Sequence, residues 1–575
     1  MNLRPAIGCV CSALVLCVGV QALSASPPPA VSWATQAGGT GGAQSSAISA
    51  LPDGSSIVTG YFTGTATFGS TTLPSSGNTC GTAPYTHPCN EMFTAKMNAD
   101  GTWGWANAVG GNGNNLGAAV SALPDGSSIV TGYLQGTATF GITTLTRSPD
   151  SYQDVFVAKM NTDGTWAWAT SAGGVGDGSS GSGISALPDG SSLVFGSFSG
   201  TATFGSTTLA SGGSSVFIAK MNADGTWGWA TKAHGTGLLD ASAISALPDG
   251  SSIVTGFFGD TATFGRTTLT GEDKYDVFVA KMNADGTWAW ANKAGGEGYG
   301  AYGAGISTLP DGSSIVTGSF QGTVAFGRTT LTTNGRYFDD LFVAKMNANG
   351  TWAWATQAKG GNSGSDGGSG IATLPDGSSI VTGRFDDTAT FGTTTLTSAG
   401  SNNEIFTAKV NADGTWAWAT QSGGTGDDVG YGVSTLPDGS FVTTGQFQNT
   451  ASFGNTTLTS AGSNDIFVAR YLTTPQATAA ITGKTRCVAT TCVTTGSVPP
   501  RATRITQRAT TRPAGRTAPG KCTIRRASTR RTYSCTVHVT AGTWVITTTS
   551  RRQSMALAHF SKRVRVARQT APDTE

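Results

Sequence analysis

Asp276 to Gly295 reads DVFVAKMNADGTWAWANKAG, and near-copies of it recur down the chain. Phe278, Ala280 and Met282 alternate with other residues, as one face of a half-buried strand requires. Asn283-Ala284-Asp285-Gly286-Thr287 is a turn with a mechanism: Asp favours the turn, and Gly takes the positive φ of a bulge in a three-residue hairpin loop. In that register Trp288 and Trp290 are expected beside Met282 and Ala280, on the face that carries Phe278. Each Trp buried there removes ~150–250 Å² from water, on the order of 4–6 kcal/mol gross.

Working outward, Leu-Pro-Asp-Gly begins at Leu51, Leu123, Leu187, Leu247, Leu309, Leu374 and Leu436. The spacings of 72, 64, 60, 62, 65 and 62 residues suit propeller blades better than solenoid coils. One repeat reads as four strands: Ala241–Leu247, Ser251–Phe258, Asp276–Met282 and Thr287–Lys293. A Thr/Gly-rich excursion, Thr261–Leu269, is expected to form a small extra hairpin between the second and third.

The first three strands occur seven times, but Trp-bearing fourth strands follow only six of them, at Trp pairs 103/105, 166/168, 227/229, 288/290, 352/354 and 416/418. The missing one is at the front, where VSWATQAGG (residues 31–39) matches the stretches after Trp354 and Trp418. Residues 31–39 are therefore expected to pair with Ile466–Tyr471, closing the ring and covering exposed sheet edges. The fold class is all-β: a seven-bladed β-propeller closed by its N-terminal strand, followed by a small Ig-like β domain.

The motifs DGSSIVTG (Asp249 to Gly256), DVFVAKMN (Asp276 to Asn283) and the W-A-x-x-x-G-G run from Trp290 resemble the bacterial β-propeller repeat family of exported proteins often called SBBP repeats. The resemblance covers about residues 31–473. It implies a propeller and export, and no particular activity.

Composition agrees. The chain of 575 residues is too long for one ordinary core unless it repeats, and 82 glycines with only 12% charged residues suit short strands and tight turns. The net charge of +2 hides a split: residues 25–475 carry 16 Lys/Arg against 31 Asp/Glu, and residues 476–575 carry 18 against 2. An acidic body thus precedes a basic tail. Residues 1–24 read as a secretory signal peptide, with Arg4, an apolar run from Ala6 to Val20 and small residues before Ser24. Residues 25–473 are expected to form the propeller, 474–500 a linker and the start of the C-terminal domain, and 501–575 a basic Thr/Arg-rich β domain. Six cysteines remain after the signal, in the close pairs Cys80/Cys89, Cys487/Cys492 and Cys522/Cys535, which in an exported chain suggests disulfides.

An up-and-down blade sends its turns alternately to two faces. One face holds the near-constant Leu-Pro-Asp-Gly and Asn-x-Asp/Asn-Gly turns; the other holds connections of varied length, and binding on a repeat scaffold is expected where loops vary. That variable face carries Tyr85, Tyr152, Tyr275, Tyr299, Tyr302, Tyr337 and Tyr431, seven of eleven tyrosines, together with Asp240, Asp273, Asp339, Asp427 and Asp428. Tyrosine offers flat apolar area with a polar tip, suited to a glycan or protein ligand or to packing over the loops themselves.

An acid precedes the third strand in six repeats (Glu91, Asp154, Asp276, Asp340, Glu404 and Asp465), and a base lies five positions on, as in Lys281. Repetition in every blade makes these structural braces, not catalysts. No GxSxG, HExxH, phosphate-loop or dinucleotide motif occurs, so the reading names no catalytic residue, metal ligand or cofactor. The expected function is non-enzymatic binding or adhesion outside the cell. The alternatives are an enzyme at the channel mouth and a self-associating envelope protein. The basic tail would contact an anionic envelope polymer or lipid in preference to nucleic acid.

Overall fold

The computed structural model describes residues 27–81, 86–272, 274–333, 338–361, 364–400 and 402–472, and, further on, 505–506, 520–526, 529–540 and 543–549. All its regular elements are strands. The chain divides into two compact units, Met1–Ala480 and Ile481–Glu575. The signal-peptide residues and Cys487 and Cys492 lie outside the described residues.

The fourth repeat shows how the first unit is built. Leu239–Ala246, Ser252–Phe258, Asp276–Met282 and Trp288–Thr308 pair in that order, each antiparallel to the last. Trp288–Thr308 runs for 21 residues, ending this repeat and then pairing with Ser314–Phe326 as the first strand of the next. Second and third strands are buried on both faces save one position, which is why SIVTG and DVFVAKM read as nearly continuous apolar runs. The excursion is the expected small hairpin, Thr261–Phe264 against Thr267–Thr270, and it pairs back onto His234 and Gly235 of the preceding repeat.

The same order recurs at each Leu-Pro-Asp-Gly turn. In the last repeat, Val429–Thr435, Phe441–Phe447 and Asp465–Leu472 are followed in the sheet by Ala30–Ala37, with Trp33 opposite Arg470 and Ala37 opposite Ile466. The core lies between repeats: Phe195, Val216 and Ile218 of the third pack with Val254, Phe258, Phe278 and Met282 of the fourth. A cluster of the same kind joins the two ends of the unit, setting Ile48, Phe62 and Phe93 against Val442, Ile466 and Val468. The architecture is all-β and propeller-like.

The Trp pair differs from expectation. A bulge between Lys281 and Met282 puts Trp288 opposite Met282 but Trp290 opposite Lys281, so the two rings leave on opposite faces. Trp288 packs with Phe278, Ala280 and Met282, and its edge meets the Phe264 ring at 4.9 Å. Trp290 packs with Val277 and Val279 toward the following repeat. Its Nε1 donates to Ala348 O at 3.2 Å, while Trp288 Nε1 donates to Lys232 O of the preceding repeat at 3.3 Å. Both rings are half-buried, not fully buried. Gly350 explains itself here: its φ is +80°, and a Cβ would stand 2.8 Å from the Trp290 ring.

The second unit has one described antiparallel sheet, ordered Ile505–Thr506, Gly520–Arg526, Thr529–Thr540 and Thr543–Thr549. The second sheet that an Ig-like sandwich requires is not among the described residues. Cys522 and Cys535 lie on paired strands, opposite Tyr533 and Gly520 respectively.

Candidate functional site

Every second strand carries a Gly-x-Phe/Leu step, and in the five that end on it x is the strand's least buried position. It reads Tyr61, Tyr133, Ser197, Phe257, Ser319, Arg384 and Gln446: a varying residue inside a nearly constant block. Its place at the strand end puts it on the variable face. Tyr61, Tyr133, Phe257 and Arg384 are not among the residues expected from the sequence. Variation within SIVTG-x-F was the signal that marks them.

These positions gather the aromatic loops. Phe257, Tyr275 and Tyr302 form one assembly, with centroid separations of 5.5 Å (Phe257–Tyr275), 5.0 Å (Phe257–Tyr302) and 5.5 Å (Tyr275–Tyr302). Lys274 lies over Tyr275 at 5.4 Å from the ring centre. Nearby in sequence, Tyr299 is 57% exposed, and Tyr152 on another repeat is 65% exposed. Tyr431 is half-buried beside Tyr61 and Arg384, and burial raises its hydroxyl pKa, as it does those of Tyr61 and Tyr133. Tyr85 and Tyr337 lie outside the described residues, as does Asp273.

Tyr431 also borders a narrow passage of about 240 Å³ lined by first strands from all seven repeats, among them Ile48, Ile184 and Ile306. Tyr431 is the one ionisable residue in that lining. The expected tyrosine face therefore resolves into a Tyr275/Tyr302 assembly, a Tyr61/Tyr133/Tyr431 group, and the exposed rings of Tyr152 and Tyr299.

The acids before the third strands are buried and staple the excursions. Asp276 Oδ2 accepts from Glu272 N at 3.2 Å and Lys293 Nζ at 3.0 Å; Asp465 Oδ2 accepts from Ala461 N at 3.0 Å. A Cβ on Gly295 would stand 2.0 Å from Asp276 Oδ1, which accounts for the glycine at this position in five of the seven repeats, His234 and Lys359 standing there in the other two. The bases five positions on reach instead to the Leu-Pro-Asp-Gly turns, with Lys96–Asp53 at 3.4 Å and Arg470–Asp438 at 2.6 Å. The expected bracing role is what both sets perform.

Asymmetry enters eight residues before each Leu-Pro, at Ala43, Asn115, Ser179, Leu239, Ala301, Asp366 and Asp428. Only the last two repeats put an acid there, against the acid of the preceding repeat. Asp366 is 2% exposed; its Oδ1 accepts from Asp386 N at 3.1 Å, and its Oδ2 has no partner among the described residues. Asp366 Oδ2 and Asp340 Oδ1 stand 2.8 and 2.9 Å from the point a Gly360 Cβ would occupy, so the two carboxyls face each other across that glycine.

Burial pushes Asp366 up to about 8, with the charges of Asp340, Asp386 and Asp387 adding to it and the Asp386 amide opposing. Burial likewise takes Asp340 to about 6 and Asp428 to about 7, where Glu404 and Asp427 add repulsion. Among the described residues no group of three or more His, Cys, Asp or Glu is placed to hold a metal ion, and no helix is long and apolar enough to cross a membrane. The Cys80 and Cys89 sulfurs are 2.03 Å apart, closing the longest excursion as expected.

No family model matches the chain. It is 25% identical over 291 residues to an uncharacterised WD repeat-containing protein of Acanthamoeba polyphaga mimivirus, a match covering 40% of this chain. The chain spans about a fifth (21%) of that relative's length. Among solved structures it is similar to the Pan2 WD40 domain of Neurospora crassa, at 10% identity and a TM-score of 0.33, covering 75% of this chain and 89% of that one. It is also similar to puromycin hydrolase, at 11% identity and a TM-score of 0.36, covering 86% and 58% respectively. These likenesses are to WD-repeat and propeller proteins, enzymes and non-enzymes alike.

Proposed function

We propose that the chain is an exported, non-enzymatic binding protein of the SBBP-repeat kind. Its repeats form a seven-bladed propeller closed by the N-terminal strand, and the variable face recognises a glycan or protein at a cell surface or outside the cell. Closure is supported by the pairing of Ala30–Ala37 with Asp465–Leu472 and by the core cluster shared between first and last repeats. The observation that carries the binding reading is the Phe257/Tyr275/Tyr302 assembly with Tyr299 exposed in the same loops, because rigid aromatic area beside solvent is what binding hot spots are made of. The lining of the central passage weighs against an active site within it, since aliphatic and small residues dominate it.

The test replaces Tyr152 and Tyr299 with Ala in the full chain. Both rings are exposed, so melting should be unchanged. Binding to intact cells or to a glycan array should fall about tenfold or more, as expected on losing a hot-spot ring. Unchanged binding by a variant that melts like the parent would leave these rings without a role in recognition.

A further inference from the structure

The opposite face carries a second surface, built from the turns that the repeat keeps constant. The Leu-Pro steps of five repeats and Pro310 of a sixth surround a recess of about 790 Å³, with Leu51, Pro52, Leu123, Pro124, Leu374 and Pro375 in its wall. The leucines are buried and the prolines exposed, so the rim is apolar. The aspartate of each turn is exposed beside this rim, and in five of the seven it is ion-paired with a base of its own repeat, as in Asp125–Lys159 at 3.3 Å, Asp189–Lys220 at 3.7 Å and Asp376–Lys409 at 3.3 Å. These carboxylates are 55–62% exposed and their lysines only 17–26%, so solvent meets the negative partner of each pair.

Two strands further out, about 10 Å by sheet spacing, come the turns between third and fourth strands. Five of these six end on an exposed aspartate: Asp100, Asp163, Asp224, Asp285 and Asp413, with Asn349 in the sixth. None of the five enters an ion pair among the described residues. Each accepts the amide and hydroxyl of the Thr two positions on, as Asp285 does from Thr287 at 3.0 and 2.6 Å. Those bonds hold all five carboxyls below their usual range, so they stay charged. The turns of this face carry twelve aspartates against the seven bases of the third strands, an excess of five acids.

We propose that this face docks a cationic polypeptide segment whose aliphatic side chains enter the Leu-Pro recess while its Lys or Arg residues reach the outer aspartates. Apolar wall and acidic collar are complementary to the two halves of such a segment. The collar steers the segment and the recess seats it.

The experiment uses the full chain and a fluorescein-labelled peptide of three leucines flanked on each side by three arginines, with Leu-to-Ser and Arg-to-Glu versions as controls. Binding of the parent peptide should weaken with added salt. It should exceed that of the Ser version at least tenfold, and the Glu version should not bind. The variant D100N/D163N/D224N/D285N/D413N keeps the Thr bonds, since an Asn oxygen accepts them, and should lose at least tenfold in affinity and most of the salt dependence without a change in melting.

Should that variant fail to fold, P52S/P124S/P188S alters only exposed rim positions and should likewise lose affinity for the Leu peptide. Equal binding of Leu and Ser peptides would reduce the face to a general polyanion and overturn the proposal. So would full binding by the aspartate variant, or loss of binding in Y152A/Y299A, which would move the site to the aromatic face.

Discussion

At the scale of single residues, Asp366 and Asp428 are where the repeat departs from its own rule. A carboxyl at this position loses water on entering the seam and meets the acid of the neighbouring repeat, so the neutral form is favoured. With folded values near 8, 7 and 6 for Asp366, Asp428 and Asp340 against an ordinary 3.8, the folded state holds more protons than the unfolded chain between about pH 4 and pH 8. Stability from these groups is therefore fully present below about pH 4 and is lost as pH rises through each folded value. The turn aspartates, held low by Ser and Thr hydroxyls, act oppositely: their contribution is present above the ordinary 3.8 and is lost as pH falls through their own depressed values.

The melting temperature should accordingly fall from pH 5 to pH 8.5. D366N should flatten that slope and stabilise the protein at pH 8.5, on the order of 1–3 kcal/mol, since the Asn oxygen still accepts the Asp386 amide. Melting curves of both proteins across this range check it; a parent whose stability rises steadily to pH 8.5 would show that these carboxyls ionise without penalty.

At the scale of the element, the hairpin from Asp276 to Thr308 joins three repeats through two rings. Trp288 looks back to Lys232 O and across to Phe264; Trp290 looks forward to Ala348 O and Gly350. Both are half-buried, so W288A and W290A should each cost about 2–3 kcal/mol, the low end for loss of a large aromatic. A double-mutant cycle separates the faces. W288A with F264A should show coupling of about 0.5–1.5 kcal/mol, whereas W290A with F264A should be additive, because the bulge sends the Trp290 ring away from Phe264. Urea unfolding of the parent, the three single and the two double variants gives both terms.

The bulge is also the point where sequence reading stopped. Strand limits such as Asp276–Met282, the Asn-x-Asp-Gly turn and the excursion hairpin followed from alternation and turn chemistry. A one-residue slip between Lys281 and Met282 leaves no mark in composition, yet it reverses the face of Trp290. Tyr275 and Tyr302 could be assigned to one face, but their meeting on Phe257 depends on three separate connections converging. The Asp340/Asp366 seam depended on aligning the residue eight before each Leu-Pro with the acid of the repeat before it. All seven letters were in view, but nothing in the chain alone places those two positions across one glycine.

At the scale of the whole first unit, both ends of the chain meet in one sheet. Ala30–Ala37 pairs with Asp465–Leu472 through seven partner positions, and Gln36 adds side-chain bonds to Thr459, donating to its O at 2.7 Å and accepting from its N at 3.1 Å. This junction is weaker than an internal one. Val31 stands where the other repeats have their first Trp, so Phe453 has Phe467 at 4.7 Å but no Trp edge of the kind Phe264 receives from Trp288. Tyr471 replaces Met282 and compensates in part, stacking on Phe441 at 4.8 Å and sitting 1% exposed. Removing residues 30–37 uncovers the whole of Asp465–Leu472 as a free strand edge and opens one side of Ile466 and Val468, which pack against the first repeat. The expected outcome is a melting temperature lowered by many degrees together with concentration-dependent aggregation, read by scanning calorimetry and size-exclusion chromatography. V31W addresses the same junction from the other side: a Cβ on Gly454 would stand 3.3 Å from the Val31 Cβ, as one on Gly265 would stand 3.2 Å from that of Trp288, so the position has the geometry of the other repeats. It should raise stability by about 0.5–1.5 kcal/mol through a new edge-to-face contact with Phe453. A deletion variant that stays monomeric and melts like the parent would show that the unit does not depend on joining its ends.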